Sequence, residues 1–88
     1  MTEKVFTITD EAGMHARPSS LLVKAVTPFK SEVFIEYKDK RVNLKSIMGV
    51  MSLGIPYGAS VNVIANGEDE EQVIDAVNTV IKEVGLAK

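Results

Sequence analysis

Residues 5–29 read VFTITDEAGMHARPSSLLVKAVTPF, and two periodicities within them decide the fold class. Val5 to Thr9 alternates, with Phe6 and Ile8 on one face, which is the period of a half-buried strand. From Pro18 to Phe29 the apolar residues fall at helical spacing instead. Leu21, Leu22, Ala25, Val26 and Phe29 form a stripe, so the spacing predicts a helix from about Ala16 to Val26 or Thr27. Pro18 fits its first turn, where an N–H has no intrahelical acceptor to lose. Pro28 ends the helix by forcing its predecessor toward extended geometry. Asp10 to Met14, containing Gly13, is the loop between strand and helix. His15, the only histidine, stands where the helix begins.

The rest of the chain supplies partners for this strand–helix unit. Val33, Ile35 and Tyr37 alternate with Phe34, Glu36 and Lys38 as a second strand. A turn at Lys38-Asp39-Lys40 leads into a short third strand, Arg41 to Leu44, with Val42 and Leu44 inward. Ser46 is a good N-cap for a helix of under two turns that ends at Leu53, before Gly54. Ile55 to Gly58 is a loop, and Ser60 to Ala65 alternates through Val61 and Val63 as a fourth strand. Asp69 with Gln72 resembles a capping box for a last helix, whose stripe is Val73, Ile74, Val77, Val80, Ile81 and Val84 and whose stop is Gly85. Four strands and three helices in this order give an α+β fold, a two-layer sandwich with the helices on one face of the sheet. The first crossover should be right-handed. Periodicity leaves the strand order open, and Phe34, on the outward face, has no evident role.

Eighty-eight residues make one domain, residues 1–88, burying roughly 60–65% of its unfolded surface. That is enough for a thin core and too little for a closed catalytic cavity. The chain is 45% hydrophobic and 25% charged, with a net charge of −2 from 10 basic and 12 acidic residues. Residues 12–30 carry Arg17, Lys24 and Lys30 and no acid, whereas residues 68–75 carry five acids. A net acidic chain without a basic run argues against direct nucleic-acid binding. There is no cysteine, so neither a disulfide framework nor thiolate chemistry is expected, and one histidine is a poor start for a metal site. No cofactor is implied. No apolar run reaches membrane-spanning length and the first residues lack signal-peptide form, so a cytoplasmic location without membrane insertion is the expectation.

The chemistry is expected at His15. Ala16 and Arg17 offer free N–H groups at the positive end of a helix dipole, where phosphate oxygens bind well. The Arg17 guanidinium suits bidentate phosphate contact, and Gly13 allows close backbone approach. The helix end disfavours the imidazolium, leaving a ring lone pair to attack phosphorus and form phosphohistidine. No residue to position water is evident, so the site suits accepting and surrendering a phosphoryl group rather than hydrolysing one.

Gly13-Met14-His15-Ala16-Arg17-Pro18 and Asn43-Leu44-Lys45-Ser46-Ile47-Met48-Gly49-Val50-Met51-Ser52-Leu53-Gly54, at their separation in this chain, resemble HPr, the histidine-containing phosphocarrier of the bacterial phosphoenolpyruvate:sugar phosphotransferase system, in its low-GC Gram-positive form. The resemblance covers essentially the whole chain. It implies an open-faced sandwich with an antiparallel sheet of order 1-4-2-3 under three helices. It also implies a relay rather than an enzyme: enzyme I phosphorylates His15, by family analogy at Nδ1, and His15 passes the group to IIA domains of sugar permeases. Arg17 would be the charge partner of the phosphohistidine. Ser19-Ser20 stands where Ala-Thr is more usual in the family, Lys38-Asp39 where Asn-Gly is common, and Val84 where glutamate is frequent.

Ser46 alone reads as an N-cap worth about 1 kcal/mol. The resemblance adds a regulatory role: an ATP-dependent HPr kinase/phosphorylase would phosphorylate it, slowing transfer from enzyme I and recruiting a LacI-type catabolite-control repressor. A phosphate at an N-cap should stabilise the short helix, so its effect must fall on partners. That helix has more apolar residues than one face can bury. Val50 and Leu53 are assigned to the core, and Ile47, Met48 and Met51 to an exposed, adaptable patch. If the fourth strand runs antiparallel to the first, residues 54–58 return beside His15. Partners would then meet Met14, Ala16, Arg17, Pro18, Ser20, Lys24, Ile47, Met48, Met51, Ser52 and Gly54 around His15, with acids complementing Arg17 and Lys24. A monomer is the default. A purely regulatory module using only Ser46 is disfavoured by the presence of His15, and a small acylphosphatase-like enzyme by the missing water-positioning residue.

Overall fold

The alternation at Phe6 and Ile8 is realised in a four-stranded antiparallel sheet of order β1-β4-β2-β3. The computed structural model describes all residues 1–88. Its elements are β1 (Thr2–Thr7), α1 (Ala16–Val26), β2 (Glu32–Tyr37), β3 (Lys40–Asn43), α2 (Ile47–Ser52), β4 (Ser60–Asn66) and α3 (Glu70–Val84). In register, Phe6 faces Val61, and Ile35 faces Val63. These residues, with Val33 and Ala65, meet Leu22, Val26, Val73 and Val77 of the helices in one core of 21 buried residues. At roughly 25 cal/mol per Å² of buried apolar area, this layer is the main source of stability.

The helical stripes are rotated slightly from their sequence reading. Leu22, Val23 and Val26 are buried in α1 together with Pro18 and Ser19, while Leu21 and Ala25 are half-buried. In α3, Val73, Ile74, Val77 and Ile81 are buried, but Val84 is 39% exposed because the last turn overhangs the cleft beside His15. Asp69 is the N-cap residue of α3, yet the expected capping box with Gln72 is absent. Its carboxylate instead accepts from the backbone N–H groups of Lys30 and Ser31 at 2.9 and 3.0 Å and from the Ser31 hydroxyl. These bonds tie the start of β2 to the start of α3 and hold the Asp69 carboxyl below its usual range, the Ser31 hydroxyl contributing most.

Several strand ends differ from expectation, and β1 stops at Thr7 rather than Thr9. β1 begins at Thr2 rather than Val5, because Thr2 and Lys4 face polar partners on α3: the Thr2 hydroxyl donates to Glu70 and Lys4 Nζ donates to Asn78. β3 spans Lys40–Asn43, while Leu44 lies just beyond it, fully buried, its N–H donating to the Val33 carbonyl at 2.8 Å. In the hairpin, the positive φ of +55° falls on Lys38 and not on Asp39. The chain end, unread by periodicity, adds a short bridge to β1: Thr7 and Lys88 exchange backbone hydrogen bonds at 3.0 Å, burying Leu86 and Ala87.

Phe34 also finds its place. On the helix-free face it lies directly opposite Ile64, which is 2% exposed although no helix covers it. The Arg41 guanidinium sits 5.7 Å from the Phe34 ring centre and pairs with Glu36 at 3.2 Å. Phe34 is therefore a local cover for Ile64, with a cation–π contact as its outer layer.

Candidate functional site

His15 is the N-cap residue of α1, with extended backbone (φ −77°, ψ −178°) and no capping bond from its side chain. Its carbonyl accepts from the Ser19 N–H at 3.2 Å. The N–H groups of Ala16 and Arg17 find no acceptor within the chain, and Pro18 has none to offer. Two free donors and the positive helix end therefore adjoin the imidazole, an arrangement suited to a phosphate dianion.

The ring is held from one side. His15 Nε2 lies 3.3 Å from Asp10 Oδ2. Asp10 is itself fixed: its Oδ1 accepts from the Ala12 N–H at 2.9 Å and its carbonyl from the Gly13 N–H at 2.8 Å. The Ala12 N–H, with a smaller contribution from His15, holds the Asp10 carboxyl below the usual carboxylate range. An ionised carboxylate at Nε2 favours the tautomer protonated there and leaves the lone pair on Nδ1.

Gly13 has a different task from the one expected. Its φ is +69°, and a Cβ there would lie 2.5 Å from the Ile55 carbonyl oxygen and 3.0 Å from Pro56 Cα. The close approach is to the 54–58 loop and not to an anion. Met14, next in the chain, donates its N–H to Ile55 at 2.9 Å. Residues 54–58 thus do return beside the His15 loop. Met14 is 5% exposed, its side chain part of the core and its carbonyl accepting from the Ser19 hydroxyl at 3.2 Å. It therefore offers a partner no side-chain surface. Pro18 is also buried, apart from the edge it gives the cleft.

That cleft, of about 340 Å³, is lined by Asp10, His15, Arg17, Pro18, Leu21, Glu83 and Val84. Arg17 is exposed and makes no ion pair, so its guanidinium is free for an incoming anion. Ala16 is exposed, Ser20 half-buried, and Lys24 exposed in the last turn of α1.

α2 packs against α1. Ser46 is its N-cap, with Oγ accepting from the Gly49 N–H at 3.1 Å. Met48 is 84% exposed, Ile47 41% and Met51 40%, whereas Val50 and Leu53 are buried. This is the division read from the sequence. Ser52 and Gly54 are exposed at the far end. The histidine and the apolar patch accordingly lie on neighbouring helices, linked through the Met14–Ile55 hydrogen bond. No group of three or more His, Cys, Asp or Glu residues converges to hold a metal ion, and no helix is long and apolar enough to cross a membrane.

Residues 2–83 match the protein family described as the PTS HPr component phosphorylation site. The chain belongs to the HPr family. HPr is a phosphocarrier component of the phosphotransferase system, not an enzyme. The fold agrees with solved HPr structures. The histidine-containing phosphocarrier protein of Mycoplasma is 37% identical over 99% of both chains, with a TM-score of 0.96. HPr of Thermoanaerobacter tengcongensis is 42% identical over 94% of this chain and 93% of its own, with a TM-score of 0.89. Crh, the Bacillus subtilis catabolite-repression protein, described as a swapped dimer, is 42% identical over 83% of this chain and 84% of its own, with a TM-score of 0.73.

Within this HPr fold, the sequence reading overlooked Asp10 and Glu83. Both line the cleft, but they are five residues before His15 in an irregular loop and at the end of a distant helix. Only the Asp10-x-Ala12 pattern, an aspartate whose side chain can bond the N–H two residues on, hinted that Asp10 is fixed in place.

Proposed function

We propose that His15 accepts a phosphoryl group derived from phosphoenolpyruvate and delivered by enzyme I, then donates it to IIA domains of sugar permeases. The Nδ1 lone pair attacks phosphorus, a P–N bond forms, and the bond from phosphorus to the donor breaks with its electron pair leaving on the donor. Donation to a IIA domain is the reverse displacement. The observation that carries this reading is His15 at the N-cap of α1, with the unpaired N–H groups of Ala16 and Arg17 and the free guanidinium of Arg17 beside it. These donors stabilise the dianion. The lining of the cleft comes from one chain, and the relay is placed in the cytoplasm with a monomer as its working unit. Incubation with phosphoenolpyruvate and enzyme I should label the chain with an acid-labile, alkali-stable phosphoryl group. Absence of label, or label that persists in His15→Ala, sinks the reading.

We infer a second, regulatory modification at Ser46 by an ATP-dependent HPr kinase/phosphorylase, with a LacI-type catabolite-control repressor as the reader. The capping geometry supports it: a phosphate on Oγ would meet the N–H groups that open α2 and strengthen the helix. New charge would then appear beside Ile47 and Met48, where it changes docking rather than folding. Similarity to a catabolite-repression protein is a further support. Acid-stable labelling by ATP and the kinase that persists in Ser46→Ala would refute the assignment.

A further inference from the structure

The carboxylate of Asp10 holds one side of the His15 imidazole, and its geometry gives it a part in the transfer. We propose that Asp10 is a positioning residue for phosphoryl transfer: its carboxylate keeps the proton on His15 Nε2, so that Nδ1 is the attacking atom and the phosphorylated ring is held as a cation beside an anion. This rests on His15 being the phosphoryl acceptor. Three observations carry it. Asp10 Oδ2 is 3.3 Å from Nε2. The carboxylate cannot swing away freely, because Oδ1 is bound to the Ala12 N–H and the Asp10 carbonyl to the Gly13 N–H. Asp10 and His15 line the same cleft, together with Arg17 and a second carboxylate, Glu83, which makes no hydrogen bond to the imidazole.

The chemistry follows from the bookkeeping of protons. A neutral imidazole protonated on Nε2 has one lone pair, on Nδ1. When that pair forms the P–N bond, the proton stays on Nε2 and the ring becomes positively charged. No proton has to move. Asp10 neutralises the new charge from one side while Arg17 and the helix N–H groups face the phosphate on the other. Donation to the next protein returns the P–N electron pair to Nδ1 and restores the neutral ring. Asp10 acts through His15 throughout and never meets the phosphate, which its own charge would repel.

The test begins without any phosphoryl donor. Correlation spectra of the ¹⁵N-labelled imidazole should show the Nε2–H tautomer in the wild-type chain and in Glu83→Gln. A tautomer mixture is expected in Asp10→Ala. Asp10→Asn keeps the acceptor for the Ala12 N–H, and so guards against a merely disordered loop, but it turns an NH2 donor toward Nε2 and should shift the ring to the Nδ1–H tautomer. With enzyme I, Asp10→Ala should lower kcat for phosphoryl acceptance roughly tenfold, the size of a lost hydrogen bond to a charged group, with KM unchanged. Asp10→Asn should not recover that loss, because a proton on Nδ1 occupies the attacking lone pair. An Asp10→Ala spectrum identical to wild type, or an unchanged kcat, overturns the proposal. A wild-type chain that accepts no phosphoryl group overturns the carrier reading instead, and the donor-free spectra then still decide whether Asp10 sets the tautomer.

Discussion

Replacing Gly13 by alanine adds one methyl group at the point where the His15 loop meets the 54–58 loop. Gly13 sits at φ +69°, and left-handed geometry costs an L-residue about 1–2 kcal/mol. The new Cβ would lie 2.5 Å from the Ile55 carbonyl oxygen and 3.0 and 3.1 Å from Pro56 backbone atoms. Backbone cannot rotate aside as a flexible side chain can, so the two loops must separate. Separation strains the Met14–Ile55 hydrogen bond of 2.9 Å, whose loss costs about 1 kcal/mol, and more if its groups stay buried. The expected destabilisation of Gly13→Ala is therefore roughly 2–4 kcal/mol. Gly54 provides the internal control. Its φ is +59°, but nothing lies within 4 Å of a Cβ built there, so Gly54→Ala should cost only about 1–2 kcal/mol. Urea unfolding of both variants, extrapolated to water, measures the difference. Equal losses at the two positions would refute the claim that the Gly13 approach locks the histidine loop against residues 54–58.

Other perturbations test the remaining parts of the structure. Ile64→Ala should destabilise by about 2–4 kcal/mol in the same urea assay, despite lying on the face without helices, because Phe34 covers it. Thr2, the N-terminal amine and the Gly67 N–H lower the Glu70 carboxyl from 4.5 to about 2. Stability from the ionised Glu70 is thus fully present above pH 4.5 and lost as pH falls through about 2, so thermal melts of Glu70→Gln should decline less over that window. Ser46→Ala removes the bond to the Gly49 N–H and should cost about 1 kcal/mol, read as a lower urea midpoint with unchanged slope. Arg17→Ala should slow phosphoryl acceptance while leaving the melting temperature within about 2–4 °C of wild type, since Arg17 is exposed and unpaired. A large stability loss would make Arg17 structural.

Where burial alone sets the pattern, the sequence was legible. Phe6, Ile8, Val33, Ile35, Val61 and Val63 alternate because each faces the helices, and α1 and α3 show their stripes for the same reason. The division of α2 into buried Val50 and Leu53 and exposed Ile47, Met48 and Met51 was also readable, since six residues cannot bury two faces. Periodicity failed where polar groups do the packing. Thr2 and Lys4 point at the helix layer but meet Glu70 and Asn78, so apolar alternation marks β1 only from Val5 onward. Asp69 looked like a capping aspartate, yet its carboxylate reaches Ser31, 38 residues away in the chain. The Asp10–His15 contact depends on loop dihedrals around Gly13 that no residue pattern encodes. Strand order also lies outside local periodicity, and it came from the resemblance alone.

The central claim is that His15 carries the phosphoryl group on Nδ1. Phosphorus and nitrogen NMR of ¹⁵N-histidine-labelled chain, phosphorylated by enzyme I and phosphoenolpyruvate, tests it directly. The expected spectrum has one phosphohistidine, with phosphorus coupled to Nδ1 of His15 and a proton on Nε2 facing Asp10. A phosphoryl group on Nε2, or on any residue other than His15, would contradict the account.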